Sequence, residues 1–338
     1  MAKSTSIRST LAVALGVTAT TILGSVFAGE ALAASKQLTG AVGIDGSSTV
    51  YPITEAVAEE FGEVAPRVKV TVGVSGTGGG FKRFSIGDTQ ISDASRPIKA
   101  KEDKKAKENG IEYIEIPVAY DGLSIVVNKN NTWVETLTVD DLKKIFLSDS
   151  KVKTWKDVNP AWPAIEVVMY TPGTDSGTFD YFKEKVAGKK GTFRGDMTVS
   201  EDDNVLVNGI AGDKGAIGFF GCAYYFENMN KLKAIAIDGG NGPVLPSAET
   251  IENGSYSPFS RPLFIYVNAK AADSPQVDAF VKFYFEQGPA LAEEVGYVRL
   301  PSAIYDIAQR KYNSRHTGTH FLTADGEKRK GSLVELYK

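Results

Sequence analysis

Three short stretches rich in glycine and hydroxyl side chains sit where a strand-like apolar run gives way to a helix-like one. They are GSSTVYP at Gly46–Pro52, SGTGGGFKRF at Ser75–Phe84 and PGTDSGTFDYF at Pro172–Phe182. A strand, a tight loop and a helix in that order form the repeating unit of α/β layers with largely parallel strands, so the spacing restricts the chain to that class. In open sheets of this kind, ligands sit beyond the carboxyl ends of strands, where helices begin. The first four N–H groups of a helix lack partners along the helix, and its dipole adds partial positive charge there. Three such starts, with no catalytic apparatus beside them, point to a chain that holds a small oxyanion.

The rest of the pattern alternates in the same way. Val42–Asp45, Val68–Val74, Ile91–Ala94, Ile111–Val118, Leu123–Val127, Ile165–Tyr170, Ala216–Phe220 and Leu263–Val267 read as strands. Apolar spacing predicts helices over Val50–Phe61, Gly79–Ile86, Lys99–Asn109, Val139–Phe146, Phe179–Val186, Ser200–Ile210, Cys222–Asn228, Val277–Phe285 and Ala290–Val295, with Ser47–Thr49 as caps on the first. Tyr120-Asp121-Gly122 interrupts two apolar runs.

Lys3 and Arg8, an apolar run from Leu11 to Leu23 and the small-x-small sequence Ala31-Leu32-Ala33 predict a secretory signal peptide over residues 1–33. Losing Lys3, Arg8 and Glu30 with it takes the balance of 38 basic and 41 acidic residues to a net charge of about −4. That charge offers no long-range attraction for nucleic acid or an anionic membrane, so an anion site must rely on local dipoles and a few placed cations. The length remaining exceeds the usual span of a single core and suggests two domains. Cys222 is the only cysteine, so no internal disulfide supports the fold.

Enzyme chemistries lack their parts. There is no G-x-G-x-x-G, no G-x-x-x-x-G-K-[ST] and no G-x-S-x-G. Both histidines, His316 and His320, lie in the polar tail Asn313–Lys338, which reads as solvated, and nothing has metal-ligand spacing. No catalytic residue, metal site or cofactor is expected. Gly78-Gly79-Gly80 is costly at a helix start unless backbone N–H groups must approach a ligand closely. Arg96, pinned by Pro97, could give two hydrogen bonds to an oxyanion, and Asp121 is a candidate buried carboxylate.

In order, GSSTVYPI, SGTGGGFKRF, ISDASRPI, AYDGLSIVVN and PGTDSGTFDYF resemble the phosphate-binding proteins of bacterial high-affinity phosphate ABC transporters, in the subgroup with SRPI and YDGL signatures. The resemblance runs from about Gly40 to Phe321. It implies a two-domain periplasmic-binding-protein-like fold with a hinged cleft: residues 34–119 with 262–338 as one domain, and 120–261 as the other. The two crossings are implied near Val118–Val127 and Ser257–Asn268. It also implies a periplasmic monomer that captures inorganic phosphate and delivers it to membrane permease subunits.

Position by position, the resemblance implies ligand contacts from Ser48, Thr49 and the Val50 backbone, from Thr77 with Ser75 and Gly78 as near alternatives, and from Ser176, Gly177 and Thr178; Ser95 is a candidate ligand residue with Arg96 and Asp121. Many relatives carry Asp at the position of Ser95 and an Arg shortly before Ser176-Gly177-Thr178. This chain has neither, so Arg96 is expected to supply the cation and Asp121 the acceptor for the phosphate proton. The missing Asp keeps open a receptor for another oxyanion, such as sulfate or arsenate. An exported phosphatase is the remaining alternative.

Overall fold

The computed structural model describes residues 37–338 apart from Asp175, Lys189 and Glu201. The expected signal peptide, residues 1–33, lies outside the described residues. Among the described residues, no helix is long and apolar enough to cross a membrane.

The chain begins with β1 (Gly40–Gly46), α1 (Tyr51–Val64), β2 (Val68–Val74), α2 (Gly76–Phe84), β3 (Ile91–Ala94) and α3 (Ala100–Glu108). Strand β1 pairs in parallel with both β2 and β3, so the first two glycine-rich loops leave the same end of one sheet. Strand β4 (Tyr113–Asn128) follows, and every residue in it is buried. Next come β5 (Thr136–Thr138), α4 (Val139–Phe146), α5 (Trp155–Val158), β6 (Val168–Pro172), α6 (Gly177–Val186), β7 (Thr198–Ser200), α7 (Asp203–Gly212), β8 (Ala216–Gly221) and α8 (Cys222–Glu227). Three short strands, β9 (Leu232–Ala234), β10 (Ala236–Asp238) and β11 (Pro243–Val244), and helix α9 (Ala248–Glu252) lead into β12 (Ser260–Asn268). Helices α10 (Pro275–Glu294), α11 (Ser302–Asn313) and α12 (Leu333–Leu336) close the chain.

One continuous sheet runs β2-β1-β3-β12-β4-β8-β6-β7. Strand β4 is shared between its two halves. Residues 113–122 pair with β12, and residues 123–127 pair with β8. The chain therefore passes between halves along β4 and returns along β12. Tyr120-Asp121-Gly122, expected to interrupt the strand, lies inside it. At Gly122 an added Cβ would stand 2.7 Å from Ile251 Cδ1 and 3.1 Å from Cys222 Sγ, so glycine lets these side chains pack against the strand.

Two further expectations are corrected. Pro289 does not separate two helices, and α10 runs through it. A Cβ at the preceding Gly288 would meet the Tyr284 ring at 2.7 Å, so glycine lets the helix pack on its own tyrosine. The tail is folded back rather than solvated. Phe321, Leu333, Leu336 and Tyr337 are buried, and the buried Glu115 accepts hydrogen bonds from Tyr266 Oη (2.8 Å), Thr319 Oγ1 (2.6 Å) and the His320 N–H (3.0 Å). Tyr337 Oη donates to the Glu115 carbonyl at 2.6 Å, and Lys311 Nζ contacts both His320 Nε2 and the Lys338 carbonyl. A carboxylate hidden in β4 needs such partners, and β12 and the polar tail supply them.

Candidate functional site

A cleft of about 560 Å³ lies between the halves. Ser48 and Thr49 of the first loop, Thr77 and Gly78 of the second, and Ser95-Arg96-Pro97 line it from the β1–β3 half. Asp180, Tyr181 and Glu184 of α6 and Ile251 line it from the other half. Ser260-Arg261-Pro262 at the start of β12, Lys328 and Arg329 of the tail, and Lys99 and Lys185 are also among the lining residues.

The first loop is held by backbone. The Ser47 N–H donates to the Asp93 carbonyl (3.0 Å), and the Ser47 carbonyl accepts from Val50 (3.2 Å) and Tyr51 (3.0 Å). Helix α1 starts one residue later than expected and has no side-chain cap; Ser47 Oγ instead accepts from the Thr49 N–H at 3.2 Å. In the second loop, Thr77 Oγ1 stands 3.1 Å from Ser95 Oγ and accepts the Ser95 N–H at 3.1 Å, so these two predicted residues are brought together. In the third, Ser176 caps α6 by accepting the Thr178 N–H at 3.2 Å.

The first and third loops meet. A Cβ on Gly177 would lie 2.7 Å from Thr49 Cα and 2.9 Å from Thr49 Oγ1, so only glycine admits this approach. From behind, Tyr297 Oη donates to the Thr49 carbonyl at 2.6 Å.

The cation at this junction is Arg261, which sequence reasoning did not single out. Its Nε donates to Asp121 Oδ2 at 3.1 Å, and its Nη2 donates to Thr49 Oγ1 at 3.0 Å. Its Cζ lies 3.6 Å from the centroid of the Tyr181 ring. Among the described residues, two of the five N–H donors of the guanidinium are engaged by protein oxygens, which leaves the Nη1 edge for a ligand. Asp121 is 2% exposed and Arg261 16%, so the pair is shielded from solvent screening. Burial pushes the Asp121 carboxyl up from its usual range, and Arg261 opposes that shift. The textual signal for Arg261 is a second Ser-Arg-Pro, at Ser260–Pro262.

Arg96, expected to be the site cation, lines the cleft but is paired with a carboxylate. Its Nη1 and Nη2 donate to the two carboxylate oxygens of Glu102 at 2.9 and 2.8 Å, and Nη1 also donates to the Pro97 carbonyl. Glu102 stands in the first turn of α3, so Arg96 serves the helix start. Asp121, expected as the direct acceptor, is not among the residues lining the cleft and reaches it through Arg261; Ser176, Gly177 and Thr178 are not among them either and stand behind Thr49. Val50 is fully buried, and its N–H is used within the turn. The triple glycine also has another cause. Helix α2 starts at Gly76, and a Cβ on Gly80 would stand 2.6 Å from Gly46 Cα, so glycine there seats the helix on β1.

A family model described as a PBP superfamily domain matches residues 31–287. The protein SphX of Synechococcus elongatus is 51% identical over 297 residues, 87% of each chain. The chain belongs to the PBP superfamily, in the family that includes SphX. The phosphate-binding protein PstS of Staphylococcus saprophyticus is 43% identical over 276 residues, 80% of this chain and 84% of that one. A crystal structure described as "a possible phosphate binding protein" from Planctomyces limnophilus has 45% sequence identity and a TM-score of 0.80, covering 83% of this chain and all of that one. The family's two-domain architecture matches a sheet whose halves are joined by β4 and β12, with the cleft between them.

Proposed function

We propose that this protein is the extracytoplasmic receptor of a phosphate ABC transporter, which captures inorganic phosphate in the cleft and releases it to the membrane permease. The observation that carries this reading is Arg261, held by Asp121, Thr49 and Tyr181 at the point where Gly177 meets the first loop. A planar cation with a free edge, next to helix starts rich in hydroxyls and N–H groups, matches a tetrahedral oxyanion. Ser48, Thr49, Thr77 and Ser95 offer hydroxyls from one half. Ser176, Gly177 and Thr178 offer the N-terminus of α6 from the other. Arg96 acts at the rim through Glu102, and Asp121 acts by holding Arg261.

In this reading the units are residues 34–119 with 262–338, and 120–261. Strands β4 and β12 act as the hinge, and closing the cleft exchanges hydration for protein donors. Each hydrogen bond to the charged ligand contributes about 1.5–3 kcal/mol net, against ordering and desolvation costs. The receptor works as a monomer and performs no chemistry on the anion.

The test is calorimetric titration of the mature protein, stripped of ligand by unfolding and refolding. One-to-one phosphate binding with little sulfate heat is expected. Equal heats for both anions would make it a general oxyanion receptor. No heat from either would end the reading.

A further inference from the structure

Three sides of the Arg261 guanidinium are fixed by three different parts of the chain. Strand β4 takes Nε through Asp121, the first loop takes Nη2 through Thr49 Oγ1, and α6 covers the plane with the Tyr181 ring. The ring is itself immobilised. Tyr181 is 1% exposed, and its Oη donates to the Pro258 carbonyl at 2.6 Å. Burial raises the phenol's pKa, so the hydroxyl stays protonated and remains a donor. Pro258 lies three residues before Arg261 on the segment entering β12. The backbone that carries the arginine thus also sets the ring on which the arginine lies. Lys185 Nζ stands farther off, 5.5 Å from the same ring centroid.

We propose that Tyr181 is a positioning residue for phosphate capture. Its ring sets the plane of the Arg261 fork, so that the free Nη1 edge faces the cleft when α6 stands against the first loop. This rests on the reading of the cleft as a phosphate site. A guanidinium stacks flat on an aromatic face, whereas an ammonium has no plane to align. Tyr181 therefore acts through arginine specifically, and its contribution disappears when the cation is lysine. Because Tyr181 belongs to one half and Thr49 to the other, the fork is fully oriented only while both halves contribute.

The experiment is a double-mutant cycle on the refolded full mature chain, read by phosphate calorimetry, with thermal melting of each ligand-free variant. Tyr181→Phe keeps the ring and should bind phosphate within about threefold of wild type. Tyr181→Leu should weaken binding about tenfold. In an Arg261→Lys background, the same Tyr181→Leu change should cost less than about twofold, because the coupling between neighbours has gone. If the leucine variant does not melt cooperatively, Tyr181→Met fills the space without a π face and takes its place.

Equal losses from Tyr181→Leu in both backgrounds would overturn the proposal, as would a phenylalanine variant as weak as the leucine one. Those outcomes would leave the receptor reading standing. Absence of phosphate binding by the wild type would sink that reading and this inference with it.

Discussion

The tripeptide Ser-Arg-Pro occurs twice in this chain, at Ser95–Pro97 and Ser260–Pro262, and all six residues line one cleft. The two arginines differ in what they are committed to. Arg96 meets a carboxylate on its own half, six residues along the chain, in a fork-to-fork pair that is 28% exposed on the arginine side. Arg261 meets Asp121, 140 residues away, and Thr49, 212 residues away, and keeps one edge open. A local carboxylate takes both Nη groups of Arg96 and cancels its charge, whereas the distant partners of Arg261 take one N–H each and orient the fork. The two corners also hold different buried acids. Asp93, two residues before the first tripeptide, is fully buried with, among the described residues, only the Thr54 hydroxyl beside it to favour its charge, whereas Asp121 has Arg261.

The sharpest way to break this comparison is to remove each arginine in turn. Arg261→Met should lower phosphate affinity by more than about 100-fold in calorimetry, because it deletes a charge-assisted donor and leaves Asp121 buried and unpaired. Arg96→Met should change affinity less than about threefold.

The junction beside Arg261 gives the next largest effect. Gly177→Ala would place a methyl 2.7 Å from Thr49 Cα and should weaken phosphate binding about tenfold or more. Gly78→Ala, also on the cleft but with nothing within 4 Å of the added Cβ, should stay within about threefold.

The two acids sharpen the comparison through pH. Burial, with Asp45 nearby, pushes the Asp93 carboxyl up to about 7 from 3.8. A raised acid binds its proton more tightly in the folded state, so its contribution is full below the unfolded value and is lost as pH rises to about 7. Denaturant titrations should therefore show wild type losing stability between pH 5 and pH 8, and Asp93→Asn losing less. An identical pH slope in the variant would show that Asp93 is not the group responsible. The smallest effect is expected at Glu102→Gln, which loosens the partly exposed Arg96 pair but keeps an acceptor for the Lys99 N–H, and should cost about 1 kcal/mol or less in the same titrations.

Much of the fold was legible because its signals are local. Ser176 caps α6, and the glycine-rich stretches mark strand-to-helix junctions, because helix starts are settled within a few residues. What was missed depends on contacts between distant segments. Arg96 looked available because Glu102 reads as one more charge on a helix, and only the fold shows its carboxylate on the guanidinium. Asp121 looked like the free acceptor because its partner arrives on β12 from another part of the sequence. Gly80 and Gly288 look like breaks or ligand contacts until the atoms a Cβ would strike are known, and those atoms belong to β1 and Tyr284. The tail looked solvated because its polarity is visible in the sequence and the burial of Glu115 in β4 is not.

The central claim is that one arginine of the two captures phosphate. It is tested most directly by side-by-side phosphate titration of Arg261→Met and Arg96→Met, each confirmed folded by thermal melting. Heat should be retained in the Arg96 variant and lost in the Arg261 variant. Retention in Arg261→Met with loss in Arg96→Met would contradict it and return the site to the first Ser-Arg-Pro.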